Sequence, residues 1–106
     1  MAIMAIYQSG DLSPADYAVF RSRLPLTAAP MGALMHAHAT DASGFVTVEI
    51  WEDQASLNAF LNEVLSPAVK AMGFPFVPPQ VLAVDDFVVT EAVRNRQIPY
   101  GTLGLL

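Results

Sequence analysis

The chain has 106 residues, 54% of them hydrophobic and only 14% charged, where an ordinary soluble domain carries roughly 25%; one domain of this size has more apolar side chain than its core absorbs, so an oligomer interface or a ligand cavity must take the excess. Five basic against ten acidic residues give a net charge of -5, which repels a phosphate backbone or an anionic membrane surface and sets nucleic-acid binding aside. With no cysteine there is no disulfide framework, no thiolate nucleophile and no Cys-ligated zinc, a composition compatible with a cytoplasmic protein.

Met1 to Tyr7 is apolar but has neither a basic flank nor a small-residue cleavage site, and nothing in the chain approaches the ~18 uninterrupted apolar residues of a membrane span. Neither a signal peptide nor a transmembrane helix is expected. Within that run, Ala2 to Gln8 predicts a first strand buried on both faces and closed by Ser9-Gly10-Asp11. Ser13-Pro14-Ala15-Asp16 predicts a helix start: a hydroxyl at the N-cap, a proline at the first helical position, and an acid where the N-terminal dipole favours it. Tyr17, Phe20 and Leu24 then recur at helical spacing, and Pro25 and Pro30 make Pro25 to Met31 a connector.

Leu34 to Thr40 and Phe45 to Trp51 flank Asp41-Ala42-Ser43-Gly44 and predict a hairpin. Asp53 caps a second helix, in which Leu57, Phe60, Leu61 and Val64 form one apolar stripe. Ser66-Pro67 repeats the N-cap pairing and predicts a break and restart, with the helix ending at Gly73. Phe74 to Gln80 is a stiff apolar loop with three prolines, and Val81 to Val89 is the last strand. The order of strand, helix, strand, strand, helix, strand predicts an α+β, ferredoxin-like split βαβ domain over residues 1–93, with one four-stranded antiparallel sheet and both helices on one face. Residues 94–106 form a tail expected to pack on the domain or on a dimer partner, because Ile98, Tyr100, Leu103, Leu105 and Leu106 are too apolar to hang in water. A homodimer is the expected cover for the open face of the sheet.

Pairing Asp41 with Gly44 around a two-residue turn sets His38 opposite Thr47, His36 opposite Glu49 and Leu34 opposite Trp51, with Phe45 on the same face. Ala33, Met35, Ala37, Val46, Val48 and Ile50 then form an apolar floor for the helices, and the two-His face is expected to look into a cavity between subunits. A glutamate accepting from one imidazole nitrogen fixes the tautomer and raises the basicity of the other, which suits His36 as a general base oriented by Glu49. His36, His38 and Glu49 also have the composition of a two-His-one-carboxylate metal site. They equally suit a pair that satisfies its own hydrogen bonds in a half-buried interface, and on that ground no bound metal is expected. His38, Phe45, Thr47 and Trp51 are the candidate substrate-binding residues around the catalytic candidates His36 and Glu49, the aromatics for stacking on a flat ligand. Asp85-Asp86 place one carboxylate on each face of the last strand, and Arg94 and Arg96 stand near any anionic ligand that the tail approaches.

Gly44-Phe45-Val46-Thr47-Val48-Glu49-Ile50-Trp51-Glu52-Asp53, continued through Leu57, Phe60 and Pro67, resembles the dimeric α+β barrel superfamily that includes the antibiotic biosynthesis monooxygenases. The resemblance implies a dimer whose sheets face each other around a pocket for small aromatic or polyketide-like molecules, with Trp51 at the position of the family's pocket-lining tryptophan. Oxygenases and haem degraders of that superfamily carry an Asn on the first strand, where this chain has Met4, Ile6 and Gln8. The haem degraders also carry a His on the second helix, where this chain has Asn58 and Asn62, so the resemblance argues against haem degradation. Two functions fit: a cofactor-free monooxygenase or isomerase acting on an aromatic or lactone-type metabolite, or a non-catalytic binding or accessory protein for a hydrophobic metabolite. Neither requires a cofactor.

Overall fold

In the computed structural model, which describes residues 1–10, 13–24 and 28–98, four strands form one sheet in the order β2-β3-β1-β4, every neighbouring pair antiparallel. The strands are β1 (Ile3–Ser9), β2 (Ala33–Asp41), β3 (Gly44–Trp51) and β4 (Gln80–Ala83). Helix α1 (Pro14–Arg23) connects β1 to β2, and α2 (Gln54–Phe60), a π-helical turn (Leu61–Leu65) and α3 (Ser66–Ala71) connect β3 to β4. This is the ferredoxin-like α+β arrangement that the element order predicts.

Local chemistry sets most of the boundaries. Ser13 accepts a hydrogen bond from the Asp16 amide at 3.1 Å while the Ser13 amide donates to the Asp16 carboxylate at 3.3 Å, a reciprocal capping box with proline at the first turn. Asp53 caps α2 by accepting from the Ser56 amide at 2.8 Å. At the other end of the helical segment the Gly73 amide reaches the Lys70 carbonyl and the Phe74 amide the Val69 carbonyl, a Schellman closure that Gly73 supports at φ +81°. That closure turns the chain back over the helix and delivers Phe74 and Phe76 to a cavity between helices and sheet.

Two predicted boundaries move. The helix does not restart at Ser66-Pro67: Ser66 is already helical, no side chain caps α3, and α2 passes into it through the π turn. Pro67 has no amide to donate and its ring crowds the carbonyl four residues back, that of Glu63; the wider π turn around Glu63 relieves both without breaking the helix. The last strand covers Gln80–Ala83 rather than Val81 to Val89, because its partner β1 runs out: Ile3 pairs with Ala83, and beyond it only the Val84 amide finds a carbonyl, that of Ala2. Asp85 and Asp86 therefore lie outside the ladder and are exposed. Residues 94–98 are exposed, and 99–106, with Tyr100 and the three tail leucines, lie outside the described residues.

The hairpin has the predicted register, with Asp41 opposite Gly44, His38 opposite Thr47 and His36 opposite Glu49. A β-bulge between Ala33 and Met35 then shifts it, so that Ala33 rather than Leu34 faces Trp51. Leu34 becomes the extra residue and is 45% exposed, while Ala33 turns to the core face. The bulge falls beyond His36, so the pairs that matter for the site are undisturbed.

The larger correction concerns which face of the sheet the helices cover. Trp51 packs against Phe60 of α2 with ring centroids 5.2 Å apart, and it shares the core with Ile3, Ala5 and Leu57. Tyr17 of α1 stacks on His38 at 3.5 Å, the rings 8° from parallel. The helices therefore cover the face that carries His36, His38, Thr47, Glu49 and Trp51. The expected apolar floor, with Val48 and Ile50 on β3 and Met35 on β2, lies on the opposite face together with Met4, Ile6 and Leu82. Leu82 and Val46 on that face are 45% and 37% exposed.

Candidate functional site

Between the helices and the sheet lies a cavity of about 120 Å³ of water-accessible space. That is space for several water molecules or for the ring of a small aromatic ligand. The sheet contributes Tyr7, His36, Phe45, Thr47, Glu49 and Trp51, and α1 contributes Tyr17, Phe20, Arg21 and Leu24. Phe60, Leu65, Val69 and the loop from Phe74 to Val77 complete an otherwise apolar wall. The cavity lies between the chain's own helices and sheet, where the sequence suggests one between subunits.

Glu49 is the central polar group, a carboxylate on a residue only 6% exposed. A buried carboxylate is tolerated only when its oxygens are satisfied. Oε1 accepts from the Trp51 indole Nε1–H at 3.2 Å, and Oε2 meets His36 Nδ1 at 3.0 Å. A carboxylate can only accept, so toward an ionised Glu49 the His36 Nδ1 is the donor. The pair is cross-strand and the indole lies two residues along the same strand, so one face of one hairpin delivers all three groups.

His38 is held differently. Its Nδ1 lies 2.6 Å from Thr47 Oγ1, its ring is covered by Tyr17, and its buried Nε2 has no hydrogen-bond partner among the described residues. Burial, with repulsion from Arg21 and from His36 when that ring is protonated, lowers its pKa to about 4, so His38 is neutral at pH 7. Burial likewise pushes the Tyr17 hydroxyl up to about 12, against the pull of Arg21, so Tyr17 stays protonated. His38 is not among the residues that line the cavity; it supports Tyr17, which is.

The structure thus brings His36, Glu49, Phe45, Thr47 and Trp51 to one wall and leaves His38 behind Tyr17. Among the described residues no group of three His, Asp or Glu side chains is placed to hold a metal ion, so the two histidines and Glu49 do not form the two-His-one-carboxylate set. Arg94 and Arg96 are exposed and do not reach the wall.

Spacing alone does not find Tyr7, Tyr17 or Arg21. Tyr7 faces the cavity because β1 pairs with β3 so that Tyr7 opposes Thr47, a long-range register with no turn to announce it. Tyr17 and Arg21 are separated by one helical turn and share a face of α1, with the Arg21 guanidinium carbon 5.8 Å from the Tyr17 ring centroid. That spacing is legible in the sequence, but what the face meets is not.

No protein-family model matches the sequence, and no curated protein matches it. The structure is similar to that of a variant of SnoaB, a cofactor-independent oxygenase from Streptomyces nogalater, with a TM-score of 0.52 at 14% identity over 82% of this chain and 95% of that one. The two share the ferredoxin-like α+β fold. Within that fold the chain presents an apolar cavity with one carboxylate-bonded histidine in its wall. No helix of the described residues is long and apolar enough to cross a membrane.

Proposed function

We propose that the protein is a cofactor-independent monooxygenase, or an isomerase using the same proton transfer, acting on a small aromatic or lactone-type metabolite, with His36 as general base. The observation that carries this reading is the Glu49–His36 hydrogen bond at the wall of an apolar cavity, which orients the imidazole for proton transfer. His36 removes a proton from an acidic C–H or phenolic O–H, and the electron pair left on the substrate is its route to dioxygen. In the oxygenation the substrate gains one oxygen atom and loses two hydrogens, which leave with the second oxygen atom as water. In the isomerisation the proton returns to a different carbon. Thr47, Phe45 and Trp51 bound the substrate, and His38 contributes by bracing Tyr17.

The functional unit in this proposal is a homodimer. The sheet face away from the helices carries Met4, Ile6, Val46, Val48 and Leu82 around an already buried Ile50, and a second copy covers its exposed part sheet to sheet. The site itself stays within each protomer.

Oxygen uptake and product formation on a panel of quinols and lactones test the chemistry. Turnover by the native protein and its loss in His36→Gln are expected, with a decrease of about 10²–10⁴-fold typical of a lost general base. Ligands that quench Trp51 fluorescence yet never turn over, in native protein and variant alike, overturn the enzyme reading in favour of a non-catalytic protein for hydrophobic metabolites.

A further inference from the structure

Arg21 is the formal cation in the lining of this cavity, and the proton transfer to His36 makes no use of it. It lies in the last turn of α1, on the helix side, across from the sheet residues His36 and Glu49. Its Nε is buried and has no hydrogen-bond partner among the described residues. The carboxylates that could neutralise it are engaged elsewhere. Both oxygens of Glu49 are taken by His36 and Trp51, and Asp16 closes the capping box at the start of α1. The Tyr17 ring beneath the guanidinium is itself fixed by the stack on His38, so the cation rests on a braced support. Arg21 is half-buried, and its Nε, cut off from water, lacks the acceptor that an anionic oxygen in the cavity would supply.

We infer that the cavity binds a planar aromatic molecule carrying an anionic oxygen, a carboxylate or a phenolate, and that Arg21 is the anchor for that oxygen. This rests on the reading of the cavity as the ligand site, and it adds the ligand's charge and orientation. The anionic end lies toward α1, the ring lies among Phe20, Phe45, Trp51 and Phe60, and the reacting hydrogen is presented to His36 on the sheet. When His36 removes that proton, the negative charge developing on the substrate is in a low-dielectric space that Arg21 already polarises.

Trp51 is the single tryptophan of the chain and lines the cavity, so its fluorescence reports occupancy without turnover. The probes are 2-naphthoate, 2-naphthamide and 2-naphthol at pH 7: one shape, with the charge present, absent, or created only by ionisation in the site. The native protein should bind naphthoate at least about tenfold more tightly than naphthamide, the lower range for a charge-assisted hydrogen bond. Arg21→Gln should erase that preference while leaving naphthamide binding intact, which also shows that the variant is folded, and Arg21→Lys should keep part of it. Naphthol bound as tightly as naphthoate identifies the phenolate as the anion; naphthol bound like the amide identifies the carboxylate. Equal affinity for acid and amide in the native protein, or a preference that survives Arg21→Gln, overturns the inference, and so does failure of all three probes to bind. His36→Gln should retain the charge preference, so absence of turnover and absence of anion selectivity are separate results.

Discussion

Replacing Glu49 by Gln removes one negative charge and almost no volume, so its effects come from hydrogen bonding rather than packing. The carboxylate accepts from two donors at once, Trp51 Nε1–H and His36 Nδ1–H. A glutamine has one acceptor oxygen, so either the indole or the imidazole meets an amide N–H instead. If the imidazole does, its Nδ1 must become the acceptor and its proton moves to Nε2, the position from which the base acts. Losing one charge-assisted hydrogen bond costs about 1.5–3 kcal/mol, and the lower desolvation cost of a neutral amide returns part of it, leaving a net loss of about 1 kcal/mol. Over a domain of this size that lowers Tm by about 4–8 °C. Glu49→Ala should cost more, about 3–5 kcal/mol, because both donors are orphaned in a buried space and a void is opened. Turnover should fall by about 10²–10⁴-fold in Glu49→Gln with substrate affinity little changed, the signature of a group needed in the transition state. Thermal denaturation and steady-state kinetics on the two variants measure both quantities. Native-like kcat in a folded Glu49→Gln protein would refute the role given to this carboxylate, and equal stability losses in the two variants would refute the hydrogen-bond accounting.

Gly44→Ala should be poorly tolerated: Gly44 has φ +135°, and an added Cβ would run into the Ser9 carbonyl oxygen of the neighbouring strand, so a loss of about 2–4 kcal/mol by urea denaturation is expected. The His38 pKa, lowered to about 4 in the fold, makes neutral His38 a source of stability that is fully present above the unfolded value near 6.5 and is lost as pH falls through 4. Because His38 is partly solvated, this should amount to about 1 kcal/mol between pH 7 and pH 4, read as the difference in pH slope between native protein and His38→Gln; identical slopes would show that the ring is not desolvated. Sedimentation at micromolar concentration should find a dimer, and Val48→Asp on the uncovered face should give monomers that keep the Trp51 environment. A native monomer would remove the sheet-to-sheet assembly. Truncation after Val93 should weaken that dimer if the tail packs on the domain or its partner, and unchanged sedimentation would show that the tail is dispensable.

What the sequence determined by itself is local. Ser13-Pro14 and Asp53 place helix starts because a cap needs only a side-chain oxygen within a few residues, and Asp41 to Gly44 fixes the hairpin register, hence the Glu49–His36 contact, because a short turn leaves no freedom to slip. Where local signals misled, a partner distant in sequence was in charge: β4 stops when β1 ends, and the Ser66-Pro67 break is absorbed by a π turn within a packed helix. Tertiary structure alone decided which face of the sheet the helices cover. Polarity points the wrong way here, since His36, His38, Thr47 and Glu49 look like an exposed or interfacial set beside the aliphatic face of Val46, Val48 and Ile50. The polar set can be buried because the indole of Trp51 and the two cross-strand hydrogen bonds meet most of its needs, while α1 and α2 bring Tyr17, Phe20, Leu57 and Phe60 to surround it. The cost of burying a polar group depends on its partners, and those partners, apart from the hairpin neighbours, come together only when distant segments of the chain fold onto one sheet.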